Sequence, residues 1–227
     1  IGRLDIVMVP VDGGLTLNSF ADWDIEMAIR GDQFNAYALD STQVYVSPDL
    51  ALRLSPRNID VTGDVLLPRA DFVIKSLPAS TVNVSDDEIV IGGETGLESR
   101  EQQGPALSAD VNLLLGDQVM FQGFNIQGRL AGQLRLREAE AMPQRVEGSI
   151  EIVDGTYSAY GQELTIDPGQ LSFNGPAENP SLNVRAYRTV GENLVGVHLG
   201  GTVETLSSNL YSAPALPQTE ILSLLVT

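Results

Sequence analysis

Leu107-Ser-Ala-Asp-Val-Asn-Leu-Leu-Leu115 decides how the rest of the chain is read. Leu107, Ala109, Val111, Leu113 and Leu115 alternate with Ser108, Asp110 and Asn112. A period of two sends successive side chains to opposite sides of a strand, so this stretch describes a sheet with one buried face. The alternation continues on both sides. Upstream, Ile59, Val61, Val65 and Leu67 face Asp60, Thr62 and Asp64, and Ala70, Phe72 and Ile74 follow. Downstream it recurs in Ile126, Leu130, Leu134 and Leu136, in Val146, Ile150 and Ile152, and in Leu164, Ile166, Leu171 and Phe173. It ends with Leu182, Val184 and Ala186, then Val195, Val197, Leu199 and Val203. About a dozen strands are expected. Helical spacing is clearest in the tail, where Pro217-Gln-Thr-Glu precedes Ile221, Leu222, Leu224 and Leu225 as a helix start does. The fold class is all-β, with a short helical segment at 217–227.

Composition narrows the function. The 227 residues are 43% hydrophobic, enough for a substantial core. Thirteen basic against 30 acidic side chains leave a net charge of −17, which argues against a nucleic-acid partner, because phosphate binding needs a basic surface. No apolar run reaches the roughly 18–20 residues of a spanning helix; Ile6–Val11 and the cluster at Leu113–Leu115 are the longest. The chain has no cysteine, so disulfides, thiolate nucleophiles and Cys-ligated zinc are excluded. Ile1 in place of an initiator Met, with no signal peptide behind it, reads as the start of an excised fragment.

The chain reads as one elongated β domain over 1–227. Glycines recur inside the strands, in Thr62-Gly63-Asp-Val, Gln127-Gly128-Arg-Leu, Glu147-Gly148-Ser-Ile and Gly200-Gly201-Thr-Val. Such positions mark bends, bulges or close backbone approach, as a strongly coiled sheet requires. Their irregular spacing favours an extended sheet of meanders over a stack of fixed coils. An acidic, Gly- and Gln-rich stretch is expected to form a mobile loop at about 92–104, and a shorter polar loop spans 138–144. Asp154-Gly155, between two alternating runs, predicts a hairpin turn, with Tyr160-Gly161-Gln162 a further bend.

Catalytic chemistry finds little support. The single histidine, His198, alternates with Val197 and Leu199 and so belongs to the polar face. A Ser/His/Asp triad would depend on it, yet no Gly-X-Ser-X-Gly elbow offers a nucleophile. Asp22-Trp-Asp-Ile-Glu26 begins like a calcium loop but places Met27 where glycine is needed and Gln33 where the bidentate glutamate belongs. Phosphate-cradling glycine motifs are absent. A non-enzymatic protein without metal or cofactor is expected.

One segment is distinctive: Asp154-Gly155, Tyr157, Tyr160-Gly161-Gln162, Leu164, Ile166, Gly169, Leu171, Phe173, Gly175 and Pro180. With Gly116-Asp117-Gln-Val119, Gly128-Arg-Leu-Ala-Gly132, the run from Val195 to Thr202 and Glu220-Ile-Leu-Ser-Leu-Leu225, it resembles the C-terminal domain of the TamB family over about 107–226. The family's Leu-Ser-Tyr-Leu-Leu stands here as Leu-Ser-Leu-Leu. The resemblance implies a periplasmic sheet curled into an open, aliphatic-lined trough, a β-taco or half-pipe. It also implies an N-terminal inner-membrane anchor outside this sequence. Two roles follow from it: carrying phospholipid between the inner and outer membranes, and assembling outer-membrane proteins with a TamA-like partner of the BamA family.

On the carrier reading the lining comprises Val111, Leu113, Leu115, Leu130, Leu134, Leu136, Ile150, Ile152, Leu164, Ile166, Leu171, Phe173, Val184, Val195, Val197 and Leu199. Charge at Ile152 or Leu171 is then expected to abolish carrying with modest loss of fold. Tyr157 and Tyr160 are candidates for the rim, where a phenol lies against acyl chains and offers its hydroxyl to a headgroup. On the assembly reading, unpaired strand edges add to the partner's sheet or to nascent outer-membrane strands. A closed barrel or sandwich with a filled core gives the same alternation, and a passive β-helical scaffold shares the composition.

Overall fold

The computed structural model describes residues 11–19, 22–39, 42–74, 105–139, 142–159 and 161–226. They form twelve strands of a single sheet and one helix. The strands are β1 (Val11–Ser19), β2 (Asp22–Arg30), β3 (Phe34–Leu39), β4 (Thr42–Leu54), β5 (Asn58–Ile74) and β6 (Ala106–Gly123). There follow β7 (Ile126–Ala139), β8 (Met142–Ala159), β9 (Gln162–Gly175), β10 (Ser181–Val190), β11 (Asn193–Thr202), β12 (Leu206–Ala213) and helix α1 (Gln218–Val226). The sheet runs β1-β2-β4-β5 and then in sequence from β6 to β12, while β3 pairs the first half of β4 and β2 the second. β1 and β12 do not pair with each other, so the sheet is not closed.

Neighbouring strands are antiparallel with one exception. β5 and β6 run parallel, Asn58 opposite Ala106 through to Ile74 opposite Gly123. Parallel neighbours need a crossover rather than a hairpin, and this connection, with the loop expected at 92–104, lies outside the described residues. The meander expected from sequence is therefore interrupted here, and also where β2 pairs β4 rather than β3. The shorter loop expected at 138–144 is mostly strand, since β7 continues to Ala139 and β8 begins at Met142.

Cross-strand partners share a face, and the register carries one apolar face across the sheet. Met27 faces Leu52, Leu52 faces Val61 and Val61 faces Ala109. Val65 is level with Leu113, Leu113 with Leu134, Leu130 with Ile152, and Ile150 with Leu171;. Leu171 then meets Leu182, Val184 meets Leu199, and Val197 meets Leu210.

Five of the register shifts between neighbouring strands fall on one line across this sheet. They occur at Tyr45/Ser47 of β4, Leu67/Arg69 of β5, Leu115/Met120 of β6, Gln127/Arg129 of β7 and Val184/Ala186 of β10;. Asp154-Gly155 belongs to this line and is not the hairpin turn its sequence predicts. Both residues lie inside β8, with Asp154 at φ 53° as the extra residue opposite β7. A Cβ on Gly155 would stand 2.6 Å from Cγ2 of Ile152, so this position leaves room only for glycine. The hairpin lies six residues later, where Gly161 takes φ 77° between β8 and β9.

The core follows the same line. Leu67, Ala70 and Val119 form one buried cluster, and Ile152, Leu164, Ile166, Val184, Ala186 and Val195 form another, with Leu130 packed against both. α1 lies over β11 and β12 and adds Ile221 and Leu225 to the second cluster. Pro217 starts the helix as expected: its carbonyl accepts from the Glu220 and Ile221 amides, and Ser212 Oγ accepts from the Leu216 amide at 2.8 Å.

Candidate functional site

The apolar face is the candidate site, and the line of bulges divides it. On one side, the side of α1, lie the ends of β6, β8, β10 and β12 and the starts of β7, β9 and β11. Here Leu164 is 1% exposed, Val195 0%, Ile221 3% and Leu225 1%. On the other side lie Val111, Leu113, Leu134, Leu136, Ile150, Leu171, Phe173 and Leu182, all half-buried, with Val146 the exception at 6% exposed. No described helix lies over this second half; the strands touch their ladder partners, and α1 touches β11 and β12.

All the lining residues expected from sequence share the one apolar face, but they do not share one environment. Ile152, Leu164, Ile166, Val184 and Val195 are core. Leu113 and Leu115 pack against the first cluster, Leu171, Val197 and Leu199 against the second and Leu130 against both, while Val111, Leu134, Leu136, Ile150 and Phe173 belong to the half that α1 leaves bare. Tyr157 pairs with Leu164 and Ile126 and packs against the second cluster, near the end of β8. Tyr160 lies outside the described residues. Beyond the expected lining, this face also carries Leu50 and Leu52 of β4, Val61, Val65 and Phe72 of β5, and Phe121 of β6, all of which alternate in the sequence. The helix residues Ile221 and Leu225 were legible as helix, but nothing in their spacing says which part of the sheet they cover.

The opposite face is polar and laddered. Arg53 grips Glu26 across β2 and β4 through Nη2 at 2.6 Å, and Arg30 Nε donates to Asp49 at 3.0 Å. Asn112 Nδ2 donates to Asp64 at 2.8 Å, and Arg135 holds Asp110 in a two-point fork with both bonds at 2.6 Å. The hydrogen bond from Arg135, with its charge, draws the Asp110 carboxyl below its ordinary value, even though partial desolvation works against it. His198 sits on this polar face as expected, level with Arg185, its Nε2 3.0 Å from Asn183 Oδ1. Arg185 lies over the Tyr211 ring, 5.9 Å from its centroid, within reach of a cation–π contact. Burial raises the Tyr211 hydroxyl above its ordinary value.

Among the described residues no group of three or more His, Asp or Glu side chains is placed to hold a metal ion. No described helix is long and apolar enough to cross a membrane.

Known proteins carry the same pattern. The TamB C-terminal domain family matches residues 8–227. A relative from Haemophilus influenzae, the translocation and assembly module subunit TamB, is 26% identical over 237 aligned positions, covering 96% of this chain. The chain spans 18% of that relative's length.

Proposed function

This chain belongs to the TamB C-terminal domain family, and from that premise we propose that it is the part of an envelope protein that holds phospholipid acyl chains on one sheet face. One observation carries this reading. An apolar face crosses the sheet from β2 to β12, and the half beyond the bulges has half-buried aliphatic side chains with no described layer above them. Contiguous apolar surface of this kind marks a site for apolar ligands or partners. Bulges add local twist and bend a strand. A line of them curls the sheet toward its apolar side, giving a trough open along the β2 to β9 rungs. The lining is then Val111, Leu113, Leu134, Leu136, Ile150, Leu171 and Phe173, with Leu115, Leu130, Val197 and Leu199 at its inner margin. The charged ladders outside keep this surface in solution. The protein works in the periplasm, tethered to the inner membrane by a segment outside this sequence, without a catalytic step or cofactor.

Leu134→Asp and Leu171→Asp test the reading, because each puts a charge beyond the bulges without removing a fully buried residue. Native mass spectrometry of the purified domain with phosphatidylethanolamine should show bound lipid that either variant loses. A wild-type domain that retains no lipid under the same conditions contradicts the reading.

A second role is favoured by the sheet ends. Among the described residues no strand pairs with β12 on its outer side, and Leu206 at its start is 55% exposed. An edge of this kind can add a strand from a TamA-like partner or from a nascent outer-membrane protein. The module name of the Haemophilus influenzae relative is consistent with such a role. Proline at Ser208 should abolish partner binding on this reading while lipid retention survives.

A further inference from the structure

Within the regular ladders of the apolar face one charged side chain stands away from a strand end: Arg188 of β10. The other, Glu138, sits one residue from the end of β7. Arg188 pairs with Val195, which is fully buried, and follows the Tyr187–Thr165 rung, which places it beside Leu164. The side chain is half-buried as a whole, and its Nη1 is out of contact with water and has no hydrogen-bond partner. No ion pair joins Arg188 to another described residue;.

Arginine does not lose its proton, so a guanidinium on an apolar face cannot relieve its burial by becoming neutral. Long basic side chains usually carry the charged head out to water; here Nη1 does not reach it. Buried polar groups are otherwise paired, and an orphan calls for a partner. The guanidinium fork suits the paired oxygens of a phosphate or carboxylate. Around it the surface is hydrocarbon: Val197, Leu199 and Leu210 run from Val195 toward the open half and are half-buried. A ligand matching both features carries an anionic oxygen pair and an acyl chain.

We propose that Arg188 binds the anionic headgroup of an acyl lipid, with the chain lying along Val197 and Leu199 toward the open half. The proposal rests on the acyl-chain reading above and adds to it a charge requirement.

The test compares wild type, Arg188→Gln and Arg188→Lys in equilibrium binding of phosphatidylglycerol, of diacylglycerol with the same chains, and of inorganic phosphate. Arg188→Gln should weaken phosphatidylglycerol binding by about tenfold or more, leave diacylglycerol unchanged, and raise the thermal midpoint of the lipid-free domain by relieving the unpaired charge. Arg188→Lys should fall between, since it keeps charge but loses the fork. Unchanged phosphatidylglycerol binding in Arg188→Gln overturns the inference and leaves the acyl-chain reading intact. Inorganic phosphate binding as tightly as the lipid, and as sensitive to Arg188→Gln, overturns the lipid as its source. Failure of wild type to bind either lipid overturns both readings together.

Discussion

The two halves of the apolar face are built from the same alternating sequence and end in different states. On the α1 side, Leu164, Val195, Ile221 and Leu225 are all 3% exposed or less. Beyond the bulges, Leu113, Leu134, Ile150 and Leu171 are half-buried, and Leu107 at the far end is 43% exposed. Alternation supplies the apolar stripe in both. What differs is the cover, which comes from a helix placed far along the chain. One half is therefore built for stability, and the other is left available.

That contrast is sharpest in paired substitutions. Leu164→Ala removes a side chain enclosed on all sides and should cost about 2–5 kcal/mol, lost transfer energy plus the cavity left behind. Leu134→Ala on the open half removes a chain that already touches water and should cost about 1 kcal/mol or less. Urea midpoints with unchanged slopes measure both. Equal losses would mean that the open half is covered in solution. Ile152 and Leu171 make the same point. Their alternation is indistinguishable in sequence, yet Ile152 is a buried member of the second cluster while Leu171 is half-buried and only packs against it, so Leu171→Asp should disturb the fold less than Ile152→Asp.

A smaller effect is expected at the glycines that let adjacent strands approach. Gly148 holds φ 131°, and a Cβ there would collide with the carbonyl oxygen of Gln133 in β7. Gly148→Val should cost about 1–3 kcal/mol from the strained backbone alone. It should also loosen β7–β8 amides more than β9–β10 amides in hydrogen exchange. Uniform loosening of all ladders would break the picture of locally pinned strands.

The strands, the polar face and the tail helix were legible because each depends on local spacing. Asp154-Gly155 was misread because Asp-Gly serves equally as a hairpin turn or as an extra residue within a strand. Only the partners on β7 and β9 decide between them, and those are long-range facts. The line of bulges was illegible for the same reason: each shift is a mismatch between two strands, not a property of either. The parallel pairing of β5 with β6 likewise leaves no mark in their alternation. Arg188 breaks the period of its strand and could have been singled out from Val184, Ala186 and Val190 around it.

The smallest expected effect lies on the polar face. Asp110 is held below its ordinary carboxylate value by the Arg135 hydrogen bond. A depressed folded value means that this contribution is present above the unfolded carboxylate range, near pH 3.9, and is lost as pH falls through the folded value. Arg135→Gln should therefore flatten the acid limb of the stability profile while leaving lipid retention unchanged. A change in lipid retention would show that the two faces are not independent.

Site-specific photocrosslinking to phospholipid tests the central claim most directly. A photoreactive residue placed at Leu113, Leu134 or Leu171 on the open half should capture acyl chains. The same residue at Asn112, Arg135 or Ser172, one position away on the opposite face, should not. Capture on alternate residues is the predicted result. Equal capture on both faces, or none at the open-half positions, would contradict a lipid-holding sheet.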